Sequence, residues 1–147
     1  MVDRGKNTIF TLKGDFIMNY RYRCECGNVY DDSKESAICP SCKKTNFTEN
    51  SGIVQLYRVG NFYGAVSPMN LYVDEQPYGK LVNKGNIKLV VPYGEHKLHA
   101  AFSGIKNSNN PTINLTPEEP ITYFKTTIPF LGDIIHFNPA EKDTMPK

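Results

Sequence analysis

The chain has no tryptophan and only three histidines in 147 residues, and its four cysteines are confined to one short segment. No apolar run approaches the ~20 residues that a membrane-spanning helix needs. Neither sign of charge dominates: 17 Lys and Arg face 15 Asp and Glu, for a formal net charge of +2, which is not the composition of a protein that binds polyanions over a broad surface. No stretch repeats its apolar residues with a helical period. Phosphate-cradling glycine loops, nucleophile elbows, zinc-protease helices and calcium loops are all missing, so the sequence is read as a non-enzyme. Residues Met1 to Ile17 offer only the patch Ile9-Phe-Thr-Leu12, followed by Lys13 and Asp15, which is not a signal peptide. The default location is therefore cytoplasmic.

What is present begins with Tyr20-Arg-Tyr-Arg-Cys-Glu-Cys-Gly-Asn-Val-Tyr30, answered by Ile38-Cys-Pro-Ser-Cys-Lys-Lys44. Cys24 and Cys26 form one pair, Cys39 and Cys42 the other. Twelve residues separate the pairs, enough chain to bring two turns face to face around one ion. Four thiolates in tetrahedral array suit zinc, and such closed sites are structural because no position is left for water or substrate. The competing uses are two disulfides, free core thiols or an iron centre. Disulfides would require an oxidising compartment. A segment this short cannot fold on its own apolar interior, so metal binding worth about 10 to 16 kcal/mol would have to supply its stability. One zinc with four thiolates brings the formal charge to about zero.

With Gly27 after the first pair and Pro40 inside the second, the segment resembles a zinc ribbon from Asn19 to Phe47. The resemblance implies two cysteine-bearing turns at hairpin tips, with Cys24, Cys26, Cys39 and Cys42 as ligands of one structural zinc. The single residue between the first two cysteines departs from the usual two. Two features around the knuckles stay open. Tyr20, Tyr22 and Tyr30 either cover the small module or form a contact surface. Arg21, Arg23, Lys43 and Lys44 either make a solvated face balancing the thiolates or contact the phosphates of a nucleic acid.

Organisation along the chain follows from turn signals. Met18 is taken as an alternative start, which makes 1–18 a leader, with Thr8 to Leu12 as an edge strand in the opposing view. The ribbon is assigned 19–48, a linker 49–52, a β domain 53–138 and a tail 139–147. Within the β domain, apolar runs at Ile53 to Val59, Met69 to Val73, Gly79 to Val82, Ile87 to Val91, His96 to Phe102, Pro111 to Leu115, Ile121 to Thr127 and Ile134 to Phe137 read as strands. Between them lie turns such as Asp74-Glu-Gln-Pro77, Pro92-Tyr-Gly94 and Gly132-Asp133. The pattern predicts an antiparallel sandwich. Ile87, Leu89 and Val91 should face the core, as should Leu98, Ala100 and Phe102, with Lys88, Lys97 and His99 turned out.

The run Ser67-Pro-Met-Asn-Leu-Tyr-Val-Asp74, then Gly79-Lys80, then Val91-Pro-Tyr-Gly-Glu-His-Lys-Leu98, resembles the PEGA-type sandwich over residues 64–127. Ala65 lies outside the eponymous tetrapeptide, and Glu75 stands where a turn glycine is usual. The resemblance implies an accessory Ig-like β module with no catalytic centre. His96 and His99 lie on opposite sides of one strand, which argues against a shared metal, and His136 stands alone. Asp31 with Asp32 and Glu118 with Glu119 read as solvated loop carboxylates. The expected function is binding or scaffolding through a protein partner, by the ribbon surface or a sandwich edge, with nucleic-acid binding through the four basic residues as the alternative. Nothing in the sequence specifies an oligomeric state.

Overall fold

The computed structural model describes residues 19–60, 68–102, 107–128 and 134–145. The leader with its Thr8 to Leu12 strand, the residues Ala65 and Ser67 of the sandwich resemblance, and the Gly132-Asp133 turn lie outside the described residues. The structure is mainly β, as its alternating sequence demands. The strands are β1 (Tyr20–Arg23), β2 (Val29–Asp32), β3 (Ser36–Ile38), β4 (Thr45–Phe47), β5 (Ser51–Arg58), β6 (Met69–Val73), β7 (Gln76–Leu81), β8 (Asn86–Pro92), β9 (Gly94–Ala101), β10 (Asn107–Ser108), β11 (Thr112–Leu115), β12 (Ile121–Thr127) and β13 (Ile134–Pro139). A single 3-10 turn, Lys142–Thr144, follows.

Two sheets face each other as a sandwich. One has four strands in the order β11-β9-β6-β7, the other seven in the order β10-β13-β12-β5-β8-β1-β2. The core between them contains Val54, Leu56, Leu71, Leu89, Leu98 and Phe137 among others. Strand parity produces it: Ile87, Leu89 and Val91 point inward, as do Leu98, Ala100 and Phe102, all buried, and Lys97 is exposed. Lys88 and His99 are half-buried rather than free in solvent. The Lys88 ammonium lies 5.1 Å from the Tyr20 ring centroid, and the His99 ring lies 5.4 Å from that of Tyr72.

The pairing is antiparallel for the most part, with three parallel exceptions: β5 with β12, β1 with β8, and β10 with β13. Parallel neighbours require the chain to cross over between them; here the strands of the other sheet supply the passage from β5 to β12. The turn after β6 is shorter than the four residues expected. Asp74 and Glu75 both have positive φ, 51° and 68°, and Val73 pairs directly with Gln76. This two-residue turn suits the twist of a hairpin, so Gln76 and Pro77 already belong to β7 and the strand ends at Leu81. Pro77 is tolerated because β7 is an edge strand.

A third, smaller layer covers the outer face of the seven-stranded sheet. The β3–β4 hairpin forms its own two-stranded sheet, and Ala37 from it packs with Tyr22, Ile53 and Val90 in a second apolar cluster flanked by Tyr20 and Tyr30. Ile53 and Val90 are the outward residues of β5 and β8, so these central strands are buried on both faces, and their continuous apolar runs follow from that. Past the last strand, Met145 is also buried.

Ser51 and Gly52 open β5, opposite Pro92 and Val91. Gly52 points at the four-stranded sheet, where a Cβ would stand 2.6 Å from Leu115 Cδ1 and 2.7 Å from its Cβ. Gly→Ala in a strand interior ordinarily helps by about 0.5 to 1 kcal/mol; here overpacking reverses the sign. Gly52→Ala is expected to destabilise the protein by about 1 to 3 kcal/mol, measured by urea denaturation.

Candidate metal centre

The two knuckles are built by local hydrogen bonds. In the first, the Gly27 amide donates to the Cys24 carbonyl at 2.8 Å and the Cys24 amide to the Asn28 carbonyl at 2.9 Å. In the second, Lys43 donates to the Cys39 carbonyl at 2.9 Å and Cys39 to the Lys44 carbonyl at 2.8 Å. Each turn closes through a left-handed residue, Gly27 at φ 94° and Lys43 at φ 70°. Glycine takes that conformation freely; Lys43 adopts it against the steric cost of its Cβ, with its ammonium 3.0 Å from the Pro40 carbonyl.

β1 and β2 carry the first knuckle at their tip, and β3 and β4 carry the second. Facing one another, they bring Cys24, Cys26, Cys39 and Cys42 together with all four sulfurs within 4.8 Å of one another. Cys24 opposes Cys42 at 3.4 Å and Cys26 opposes Cys39 at 3.7 Å. A tetrahedron with arms of about 2.3 Å has edges of about 3.8 Å, so the group matches a four-thiolate metal site. The sulfurs are not bonded to one another. The four cysteines can therefore hold a metal ion.

The electrostatics favour a cation. At Cys39, burial would raise the thiol, but amides of Cys42 and Ser41 and the Asn28 side chain lower it to about 6; the Asn28 Nδ2 to Cys39 Sγ distance is 3.6 Å. Cys24 is lowered first by the Cys26 amide and then by Asn46. At Cys42 the Lys44 amide pulls downward, yet the Cys24 sulfur, burial and the other two sulfurs push the thiol up to about 12. Four negative sulfurs at this spacing repel, and a divalent ion relieves the repulsion.

The tyrosines serve as cover. Tyr22, 1% exposed, stacks on Tyr30 with centroids 5.4 Å apart, and its hydroxyl donates to the Lys34 carbonyl at 2.6 Å. Burial, with Tyr30 beside it, pushes Tyr22 up to about 12. Tyr30 donates to the Ala37 carbonyl and accepts from Asn46.

All four basic residues around the knuckles have partners in the chain. Arg21 forms a fork with Asp31 at 2.6 and 3.1 Å, and its Nη1 donates to the carbonyls of Lys80 at 2.5 Å and Tyr78 at 3.2 Å. Arg23 reaches the Pro77 carbonyl at 3.1 Å and Gln76 Oε1 at 2.9 Å. Lys44 pairs with Glu25, and Lys43 is bound to Pro40 as above. Arg21 and Arg23 thus tie the metal module to β7 across the end of the sandwich. Their long separation in sequence left no local sign of this role.

A cleft of about 480 Å³ opens beside the centre, lined by Arg23, Glu25, Lys44, Asp74 and His96 among others. His96 and His99 do lie apart. His96 Nδ1 is 2.6 Å from Asp74 Oδ2 and its Nε2 2.7 Å from the Pro92 carbonyl. His99 Nδ1 meets Asn110 Oδ1 at 2.8 Å and Ser108 Oγ at 3.2 Å. The Ser108 hydroxyl is committed to Asn110 and to the Ala100 amide, so the network ties β10 to β9. His136 is exposed. Asp32 accepts from the Lys34 amide at 2.9 Å, and Glu118 and Glu119 are exposed. Among the described residues no helix is long and apolar enough to cross a membrane. No protein-family model, curated protein or solved structure matches the chain.

The Asp74–His96 contact latches the β6–β7 turn to β9, where Asp74 Oδ1 also accepts from the Lys97 amide at 2.9 Å. Burial alone would raise the Asp74 carboxyl; the His96 and Lys97 hydrogen bonds overcome it and hold the group below its ordinary 3.8. A depressed carboxyl stabilises above its unfolded value and loses that contribution as pH falls through the folded one. The Asp74 side chain is 50% exposed, so the contribution is at most about 1 kcal/mol. Asp74→Asn, which keeps a residue tolerant of positive φ, should be less stable than wild type at pH 7. The difference should shrink as pH falls below the ordinary carboxyl value of 3.8 and through the lowered folded one, in parallel urea titrations.

Proposed function

We propose that this protein is a non-enzymatic binding or scaffolding protein, in which one structural zinc staples a zinc-ribbon module, residues 19–48, to a PEGA-like, Ig-like β-sandwich, residues 53–138. The observation that carries it is the convergence of four cysteine sulfurs within 4.8 Å, on a module whose cations are turned inward to its own chain. Zinc bound there supplies charge neutralisation and cross-linking, and four thiolates leave it no open position for substrate. The chain's own residues do the rest: Asn28 and the knuckle amides orient the sulfurs, the tyrosines exclude water, and Arg21 and Arg23 fix the module to β7. A cytoplasmic location goes with reduced thiolates.

Partner contact is assigned to the outer face of the β3–β4 hairpin. Its inner residue Ala37 is buried, while Ile38 and Phe47 are 62% and 52% exposed. Two large apolar side chains on so small an element are an interaction signature. The sandwich edge at β7 is less suited to accepting a strand, because its Pro77, Tyr78 and Lys80 carbonyls already accept from Arg23 and Arg21. Nucleic-acid binding is the weaker alternative for the same reason: phosphates would have to displace Asp31, Glu25, Gln76 and the carbonyls of Tyr78, Lys80, Pro77 and Pro40.

Protein purified without added metal is expected to contain about one zinc per chain. Chelation should abolish cooperative unfolding of the module, and Cys42→Ala should do the same. Unchanged tyrosine circular dichroism and unchanged hydrogen exchange at Tyr22 after complete metal removal would sink the structural role. In partner capture, Ile38→Ser with Phe47→Ser should remove binding that is insensitive to salt. Steeply salt-dependent binding to DNA or RNA, lost on replacing Arg21, Arg23, Lys43 and Lys44 by Ala, would establish the alternative instead.

A further inference from the structure

The four sulfurs differ in access. Cys24 and Cys39 are 2% and 0% exposed, and the Cys39 sulfur accepts from the Asn28 side chain at 3.6 Å. Cys26 and Cys42 are open to solvent. Each exposed sulfur touches a buried one of the opposite knuckle: Cys42 lies 3.4 Å from Cys24, and Cys26 lies 3.7 Å from Cys39. Each contact therefore unites a thiolate that an oxidant can reach with a shielded one placed to resolve it, which is the arrangement of an oxidation-sensitive pair.

We propose that the cysteine cluster is also a peroxide-sensitive site, oxidised to disulfides that run between the knuckles, Cys24 to Cys42 and Cys26 to Cys39, with release of the metal. The inference rests on the structural-zinc reading above. The exposed thiolate attacks one oxygen of hydrogen peroxide; the O–O bond breaks, the sulfur becomes a sulfenic acid, and hydroxide leaves. The buried thiolate of the other knuckle then attacks the sulfenic sulfur, forming the S–S bond and expelling a second hydroxide. Two electrons pass from each thiolate pair to one peroxide, and two protons from solvent convert the hydroxides to water. Each disulfide withdraws two of four ligands, so the first one formed is enough to lose the ion.

In the full wild-type chain the cleavage pattern separates disulfides between the knuckles from disulfides within one, and backbone fragmentation between the two cysteines of each peptide reads which sulfur meets which. Trypsin cuts after Arg23, Lys34 and Lys43, which leaves Cys24 and Cys26 on peptide 24–34 and Cys39 and Cys42 on peptide 35–43. The zinc-loaded protein is treated with hydrogen peroxide, released zinc is followed with a chromogenic chelator, and the non-reduced digest is examined by mass spectrometry. Zinc release in step with a linked 24–34/35–43 species whose fragments join Cys24 to Cys42 and Cys26 to Cys39, reversed by dithiothreitol and added zinc, is the expected result, and fragments joining Cys24 to Cys39 would contradict the pairing. Separate peptides each closed on its own pair, sulfonates without linkage, or zinc retained while the thiols stay reduced would overturn the proposal. Zinc content before treatment reports on the structural reading by itself, since protein isolated without metal contradicts that reading whatever the peptide map shows.

Discussion

Four cysteine sulfurs lie within 4.8 Å of one another, where four thiolates would repel unless a cation joined them, and β1 to β4 are built around this cluster. Strands of three or four residues cannot hold two hairpins face to face by pairing alone. The sulfurs set the distance between the knuckles, and that distance decides whether Ala37 reaches Tyr22, Ile53 and Val90. The small apolar cluster on the outer sheet face and the cysteine cluster are thus held by the same two hairpins.

The module is joined to the sandwich by three separate devices. β1 extends the seven-stranded sheet through Tyr20 and Arg21 beside Lys88 and Leu89. The tyrosine cluster seals the outer face. Arg21 and Arg23 bridge to β7 of the opposite sheet. The first is backbone pairing, the second apolar burial, and the third a set of charge-assisted bonds that also occupy an otherwise free edge. Together they join the knuckles to the β core by backbone pairing, apolar packing and side-chain bonds at once.

The cysteine group was legible because metal-ligand spacing is local: two short turns, each written in consecutive residues, need only meet. The sandwich was legible for a related reason, since alternation along Ile87 to Val91 and Leu98 to Phe102 is set by the strand's own geometry. What escaped was long-range. Nothing near Tyr20 announces a parallel partner at Lys88, and nothing near Arg23 announces Pro77. Gly52, placed in a linker by its polar neighbours, owes its identity to Leu115 in another sheet. The short turn at Asp74-Glu75 was hidden by a glutamate holding a conformation that glycine usually supplies. Composition alone said nothing of the basic residues' partners, because these are carbonyls and carboxylates brought close only by folding.

The central claim is a closed metal site of four thiolates. X-ray absorption at the zinc edge of the purified protein tests it most directly. The expected spectrum is a single shell of four sulfurs at about 2.3 Å with no light-atom scatterer. A shell containing nitrogen or oxygen, or fewer than four sulfurs, would mean that one of Cys24, Cys26, Cys39 and Cys42 stands free and the site is open, contradicting a purely structural metal.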